Sequence, residues 1–298
     1  MVKLINKTVL SLLLISIIST VNADSFSHIA KYKNFETKKY ALLIGGGTTD
    51  GDTYDSFFDN IEYASNTLIK LGYCEEDIKI LFYGGKKPGH SIVEKDATKK
   101  IFLDELSYLE KMIDSNDSLV IFRSGHGIID LVYKKFEALS NTENLSVDGR
   151  FEVIGITAAM IFPDGVLTCL EFQERLARIR AKQIVVILNQ CFSGQFTDMT
   201  LRLNNTVVIS QTDFAMHQSR KTLKWKHNEW PFVKCFFDGF LHKSKEDKKQ
   251  SVYNAFQYML KCNPNIEGIP EKADRPLLKE IPQIKYGKSL TIGTVYIY

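Results

Sequence analysis

Short apolar runs separated by helical stretches constrain the fold of this 298-residue chain more than any other feature of its sequence. The runs begin at Lys39, Ile78, Leu119, Ile184 and Thr206, and glycine or small polar residues follow them. Runs of this kind indicate buried strands. Because helical patterns connect several of them, their order favours a mostly parallel sheet with helices on both faces. The sequence therefore predicts an α/β fold with three layers, an α/β/α sandwich.

Capping residues and turn signals mark the other predicted elements. A helix is expected from about residue 57 to 71, and a second helix, capped by Asp96 or Thr98, is expected to end near residue 113. Thr168 opens a third helix to about residue 179, and two more are expected near residues 230–241 and 251–261. Turn signals between residues 130 and 167 predict hairpins beside the main sheet. The tail, with Pro276, Pro282 and residues 291–298, is expected to hold one edge strand.

The first 23 residues have the pattern of a secretory signal peptide. A basic start, an apolar run from Val9 to Ile18 and small residues up to Ala23 predict cleavage after Ala23 and export to the periplasm or medium. The apolar run is short for a bilayer span, so we expect no stable membrane anchor after cleavage. Residues 24–38 are predicted to be a flexible N-terminal segment, and residues 39–298 a single domain.

Charge and cysteine content exclude several functional classes. Removal of residues 1–23 takes two lysines and no acid, and leaves 36 basic and 35 acidic residues, a net charge of +1. A chain so nearly neutral is not expected to bind nucleic acid electrostatically. The five cysteines show no metal-binding spacing, so no metal and no cofactor is predicted. Apart from Cys191, each is expected to be a buried small side chain or part of one structural disulfide.

A histidine and a cysteine follow two of the predicted strands. His126 lies in Ser-Gly-His-Gly after the run that ends at Phe122, and Cys191 lies in Asn-Gln-Cys-Phe-Ser-Gly after the run that ends at Leu188. The carboxyl ends of parallel strands meet at one edge of a sheet, where α/β folds bind their ligands. A thiol attacks as the thiolate, and a nearby histidine takes its proton and later returns it to a leaving amine. The pattern predicts a Cys191 nucleophile with His126 as general base and acid.

Glycines next to both residues add to this interpretation. They let a substrate backbone approach closely, and they leave backbone N–H groups able to point at a developing oxyanion. The backbone amides of Gly127 and Cys191 are the predicted oxyanion donors.

The two motifs, 65 residues apart, resemble those of the caspase–legumain clan of cysteine peptidases. The resemblance covers roughly Lys39 to Asp213, and the run from Val185 onward is most similar to bacterial legumain-family proteins. It implies a caspase-like sheet of about six strands and hydrolysis of peptide bonds through a Cys191 thioester, the activity of a cysteine endopeptidase. His126 and Cys191 fall on the family's catalytic pair, and Gly127 on an oxyanion donor. A protein or peptide substrate is the partner it implies.

The chain departs from the family at the residues that precede the nucleophile. Asn189 is neutral where clan members often have Glu, Gln or Asp lining the specificity pocket, and Gln190 is large where a small residue is usual. The family's preference for asparagine or aspartate therefore does not transfer. Asn189 and Gln190 are predicted to bind substrate, together with Gln211 and Asp213 after the fifth strand and Asp55 in the first loop.

Four alternatives stay open beside the endopeptidase. Nucleotide binding at Gly45-Gly46-Gly47 is disfavoured by the acidic loop that follows and by the lack of a Walker lysine. Calcium binding by Asp50, Asp52 and Asp55 lacks the order of an EF-hand loop. A catalytically weak or inactive homologue that binds peptides or proteins, and a transpeptidase that passes the thioester to an amine, both keep the same motifs. The oligomeric state is left open.

Overall fold

A computed structural model describes residues 37–51, 55–85, 89–135, 151–212, 231–242, 250–266 and 281–297. The predicted signal peptide and residues 24–36 lie outside these ranges, as does the turn signal at residues 148–149. The described residues from Lys38 onward belong to one compact unit.

The described residues form ten strands, five α-helices and three short 3-10 helices. The strands are β1 (Lys39–Gly46), β2 (Ile78–Phe82), β3 (Lys95–Asp96), β4 (Ser118–Gly125), β5 (Gly127–Lys135), β6 (Phe151–Phe162), β7 (Gly165–Thr168), β8 (Gln183–Asn189), β9 (Thr206–Ser210) and β10 (Gln283–Tyr286). The helices are α1 (Asp55–Lys70), α2 (Lys99–Met112), α3 (Cys169–Leu176), α4 (Pro231–Leu241) and α5 (Val252–Cys262). Short 3-10 helices span Glu75–Asp77, Ser193–Leu201 and Pro264–Ile266.

The main sheet has seven strands in the order β10-β9-β8-β4-β1-β2-β3. All neighbouring pairs are parallel except β10 with β9, so the predicted mostly parallel sheet is confirmed. The tail strand β10 confirms the predicted edge strand, and the two-residue β3 at the other edge is the addition to the expected count of about six. Helices cover both faces of the sheet, and the three-layer α/β/α architecture is therefore also confirmed.

A second sheet of three antiparallel strands, β5-β6-β7, begins directly after the main sheet's central strand β4. It confirms the hairpins predicted for this part of the chain. Only His126 separates β4 from β5, so the chain passes from one sheet into the other at the predicted catalytic histidine.

Side-chain caps explain where three helices begin. The hydroxyl oxygens of Thr98, Thr168 and Ser251 accept hydrogen bonds from backbone N–H groups three residues later, which start α2, α3 and α5. Helix α3 is shorter than predicted and ends at Leu176. The N–H of Ile179 donates to the carbonyl of Leu176, three residues back, so the chain tightens into a turn there instead of continuing as an α-helix.

The core has one layer on each face of the sheet because alternate side chains of a strand point to opposite faces. Ala41 and Leu43 of β1 pack on the face covered by α1, α4 and α5, and Leu42 and Ile44 pack on the face covered by α2, α3 and the second sheet. All four side chains are essentially inaccessible to water. A strand that is buried on both faces is a continuous apolar run in the sequence, which is why these strands could be predicted from the sequence.

A disulfide joins α4 to α5 through Cys235 and Cys262. Cys74, Cys169 and Cys191 lie outside it. The bond confirms the expectation for Cys235 and Cys262, and Cys169 is buried as expected. The expectation is wrong for Cys74, which lies in the exposed connection between α1 and β2. The disulfide closes a loop with a sequence separation of 27 residues between two helices that cover one face of the sheet.

Reduction of this disulfide is expected to destabilise the fold. Closing a loop of this length lowers the entropy of the unfolded chain and contributes about 3 kcal/mol. We expect Cys235→Ser to lower the free energy of unfolding by about that amount, measured by urea denaturation. Cys74→Ser, a change at an exposed cysteine outside the bond, is the matched control. Equal unfolding midpoints for wild type and Cys235→Ser would contradict the stabilising role.

Candidate active site

The register between β4 and β8 determines where the predicted catalytic residues lie. These adjacent parallel strands pair Ser118 with Gln183 and continue in step to Ser124 opposite Asn189. His126 and Cys191 each follow their strand's last paired residue by two positions. Both therefore leave the carboxyl edge of the main sheet at the same level, on neighbouring strands.

Direct packing between the two strand ends confirms this proximity. A Cβ placed on Gly127 would lie 2.1 Å from the carbonyl oxygen of Cys191 and 3.0 Å from Nε2 of Gln190. The residue after the histidine thus touches the backbone of the cysteine. Only glycine fits here, since real Cβ atoms do not approach other atoms so closely. His126 and Cys191 are themselves partly exposed, so solvent reaches this edge of the sheet.

The imidazole of His126 lies against the first turn of α1. The Phe57 ring packs on it in a T-shaped arrangement, with the ring centroids 5.2 Å apart and the planes at 87°. The histidine's carbonyl oxygen accepts a hydrogen bond from the N–H of Ile161 in β6. An aromatic ring on one side and a backbone bond to the second sheet therefore restrict the position of this residue.

Beneath the strand ends, buried amides meet at one hydroxyl. The Nδ2 atoms of Asn60 and Asn189 each donate to Oγ of Ser124 at 2.9 Å. All three side chains are inaccessible to water. The group links α1, β4 and β8 on the face of the sheet that α1 covers.

The segment around the cysteine is held by the end of β9. Phe192 adopts a left-handed backbone conformation with φ of 56°, so the chain turns sharply directly after Cys191. The next residue, Ser193, donates its N–H to Oγ1 of Thr212, and the Thr212 N–H donates to Oγ of Ser193. The N–H of Gln211 donates to the carbonyl of Leu188 in β8. These bonds fix the turn that follows Cys191.

The predicted substrate-binding residues fall into two groups. Asn189, Gln190 and Gln211 lie at the same edge as His126 and Cys191, but their side chains are fully buried below it. Asp55 is exposed at the first position of α1, two residues before the phenylalanine that contacts the histidine. Asp213 lies outside the described residues. Contact of these residues with a substrate stays a prediction.

Sequence reasoning missed the residues that support the pair. Phe57 contacts His126, Asn60 bonds to Ser124 two residues before it, and Thr212 bonds to Ser193 two residues after Cys191. All three come from elements distant in sequence, and no local pattern marks them. Arg123 had a signal: it is a single charged residue at the end of an apolar strand, and it is buried next to the two motifs.

The described residues show two further absences. No group of three or more histidine, cysteine or acidic side chains in this part of the chain is arranged to hold a metal ion. Among the same residues, no helix has the length and apolar character needed to span a bilayer.

Comparisons with known proteins bear on the fold alone. No family model matches the chain, and no curated protein matches it. Among solved structures, it is similar to the crystal structure of protein GSU0716 from Geobacter sulfurreducens, with a TM-score of 0.54 and 12% sequence identity. The match covers 87% of this chain and 97% of that one. At this identity the likeness supports the α/β architecture.

Gly127→Ala is expected to displace the segment around Cys191. The new methyl group would overlap the Cys191 carbonyl oxygen, so the two strand ends must move apart. We expect a loss of stability of about 1–3 kcal/mol, measured by urea denaturation, and a changed alkylation rate of Cys191. Gly51→Ala, whose Cβ would meet nothing closer than 3.8 Å, is the control. Unchanged stability and alkylation in Gly127→Ala would refute the close packing.

Ser124→Ala tests the buried amide group. The change leaves two buried N–H donors without their acceptor, so we expect it to cost about 2–4 kcal/mol of unfolding free energy. Ser107→Ala removes a hydroxyl that bonds only within its own helix, and is expected to change stability by less than about 1 kcal/mol. A similar small effect for both substitutions would argue against the role of Ser124.

Proposed function

We propose that this protein is a cysteine endopeptidase in which Cys191 is the nucleophile and His126 is the general base and acid. One observation carries the proposal. Gly127, next to the histidine, packs directly on the backbone of the cysteine, at a solvent-accessible sheet edge. The choice of peptide bonds as substrate comes from the resemblance of the two motifs to the caspase–legumain clan.

The first half of the proposed reaction forms a thioester. His126 takes the proton of the Cys191 thiol, and the sulfur attacks the carbonyl carbon of the scissile peptide bond. Negative charge then develops on the carbonyl oxygen, and backbone N–H groups of Gly127 and Cys191 are the proposed donors to it. The C–N bond breaks as the imidazolium returns the proton to the leaving amine.

Water completes the second half. His126 removes a proton from a water molecule, which attacks the thioester carbonyl carbon. The C–S bond breaks, the new carboxylic acid leaves, and the proton returns to the sulfur. The histidine thus acts twice as base and as acid, and the enzyme ends in its starting state.

The other two cysteines outside the disulfide are less suited to be the nucleophile. The thiol of Cys169 is the contrasting case, because burial raises its pKa to about 12 and keeps it protonated at neutral pH. Cys74 is exposed but follows no strand end of the main sheet. Of the cysteines outside the disulfide, Cys191 is the partly exposed one at the carboxyl edge, where it follows the strand next to that of His126.

Export belongs to the proposal as well. The Cys235–Cys262 disulfide supports a destination where thiols are oxidised, since such bonds persist mainly outside the cytosol. This agrees with the signal-peptide pattern of the first 23 residues.

Loss of either member of the pair is expected to abolish hydrolysis. We expect Cys191→Ala and His126→Ala each to lower kcat for fluorogenic peptides by at least about 1,000-fold, with unfolding curves close to wild type. Cys74→Ala and His242→Ala, changes of the same residue types elsewhere, are the controls and should keep full activity.

A labelling assay identifies the reactive sulfur directly. Peptidyl acyloxymethyl ketones should form a thioether with Cys191 in wild type and none in Cys191→Ala, read by mass spectrometry of the intact chain. A panel that varies the side chain before the ketone reports which residue the pocket accepts. Normal turnover by purified Cys191→Ala protein, or labelling elsewhere only, would overturn the proposal.

A further inference from the structure

Arg123 is a buried cation that the proposed reaction does not use. Its side chain is 1% exposed at the end of β4, beside the two motifs. Within the described part of the chain, its hydrogen bonds go to an amide oxygen and two backbone carbonyls, and no salt bridge joins it to an acid. Burial lowers the pKa of the guanidinium to about 9, which leaves it charged at neutral pH. A cation in the core without a carboxylate costs stability.

The donors of Arg123 reach both catalytic segments. Nε donates to Oε1 of Gln190 at 2.9 Å, directly before the cysteine. Nη2 donates to the carbonyl oxygen of His126 at 3.2 Å and to that of Ile161 at 2.5 Å. The ring of Phe162 lies 4.4 Å from Cζ and stacks on the cation. One rigid group thus bonds β4, β6 and the segment after β8.

Gln190 continues the connection from the arginine to Gly127. Its Oε1 faces Arg123, so its Nε2 points the other way, to within 3.0 Å of the place that a Cβ of Gly127 would occupy. That Nε2 atom is buried, and no described residue hydrogen-bonds to it. A small residue at position 190 could not reach Arg123, so the length of the glutamine side chain is needed for this bond.

We propose that Arg123 and Gln190 are positioning residues that hold His126 and Cys191 at reacting distance. The guanidinium fixes the carbonyl of the histidine, and through Gln190 it fixes the residue before the nucleophile. Arginine suits this role because its planar fork directs several donors at set angles, which the single ammonium of lysine does not. The inference rests on the proposed cysteine–histidine reaction.

Kinetics of matched variants test the positioning role. We expect Arg123→Lys and Gln190→Leu to lower kcat about 10- to 100-fold with KM changed less than about threefold, because misplacement of reacting groups affects the chemical step. Gln190→Glu keeps an acceptor for Nε and should retain more activity than Gln190→Leu. Equal kcat for Gln190→Glu and Gln190→Leu, or wild-type kcat for Arg123→Lys, would overturn the proposal.

A double variant separates positioning from a merely structural role. The double variant Arg123→Met with Gln190→Leu removes both hydrogen-bonding partners, so no polar side chain of the pair stays buried without its partner. The unfolding midpoint of the double variant should therefore be higher than that of Arg123→Met alone. We expect kcat to stay at least about tenfold below wild type, since the link between the segments is gone. If kcat recovers together with stability, Arg123 only supports the fold and the proposal fails.

The alkylation rate of Cys191 keeps this test independent of peptidase activity. In a Cys74→Ser background, the rate constant with iodoacetamide at pH 7 should fall in Arg123→Lys and in Gln190→Leu toward that of His126→Ala. If the arginine variants unfold, the alkylation rate of Gln190→Leu tests the same link, because this variant keeps the guanidinium in place. Unchanged alkylation refutes positioning whatever the hydrolysis assay gives, whereas hydrolysis by Cys191→Ala refutes only the proposed function.

Discussion

The in-register parallel pairing of β4 with β8 is the constraint on which the candidate site depends. It runs without interruption from Ser118 opposite Gln183 to Ser124 opposite Asn189. Side chains alternate between the faces of a strand, so a shift of one residue would exchange every buried contact on both faces. Because apolar residues fill both faces here, the close fit of the packed side chains sets this register. The same pairing leaves His126 and Cys191 level with each other at the carboxyl edge.

Polar residues on both faces then secure the two strand ends. Arg123 and Ser124 are consecutive and therefore point to opposite faces. Arg123 bonds to Gln190 on the face of the second sheet, and Ser124 accepts from Asn60 and Asn189 on the face of α1. Buried polar groups with directed bonds define a position more narrowly than apolar packing does. The segments that carry the imidazole and the thiol are held from two sides.

Packing between strand ends explains the two glycines of Ser-Gly-His-Gly, whether or not a substrate binds there. A Cβ on Gly125 would lie 2.6 Å from the carbonyl oxygen of Gly46, and one on Gly127 would lie 2.1 Å from that of Cys191. The ends of β1, β4 and β8 thus approach more closely than any side chain allows. The glycines of the motif are therefore required by the close approach of the strand ends, and the proposed catalytic role depends on the same proximity.

Much of the fold could be predicted because its signals are local. Strand β9 begins at the predicted residue Thr206, since a strand buried on both faces is a continuous apolar run. Thr98, one of two residues expected to cap α2, does so, because the cap needs only a hydroxyl three residues before an N–H. The end of α3 was missed because its last turn tightens at residues that remain good helix formers.

The sequence by itself determined the strands of the sheet, the three layers and the strand ends that carry the histidine and the cysteine. Each of these features depends on residues that are neighbours along the chain. Only the tertiary structure decided which side chains surround that pair. Phe57 reaches His126 from α1, Thr212 holds Ser193 from the end of β9, and Arg123 meets Gln190 across two strands. Such contacts join residues far apart in sequence, and they exist only when the register of the whole sheet is set.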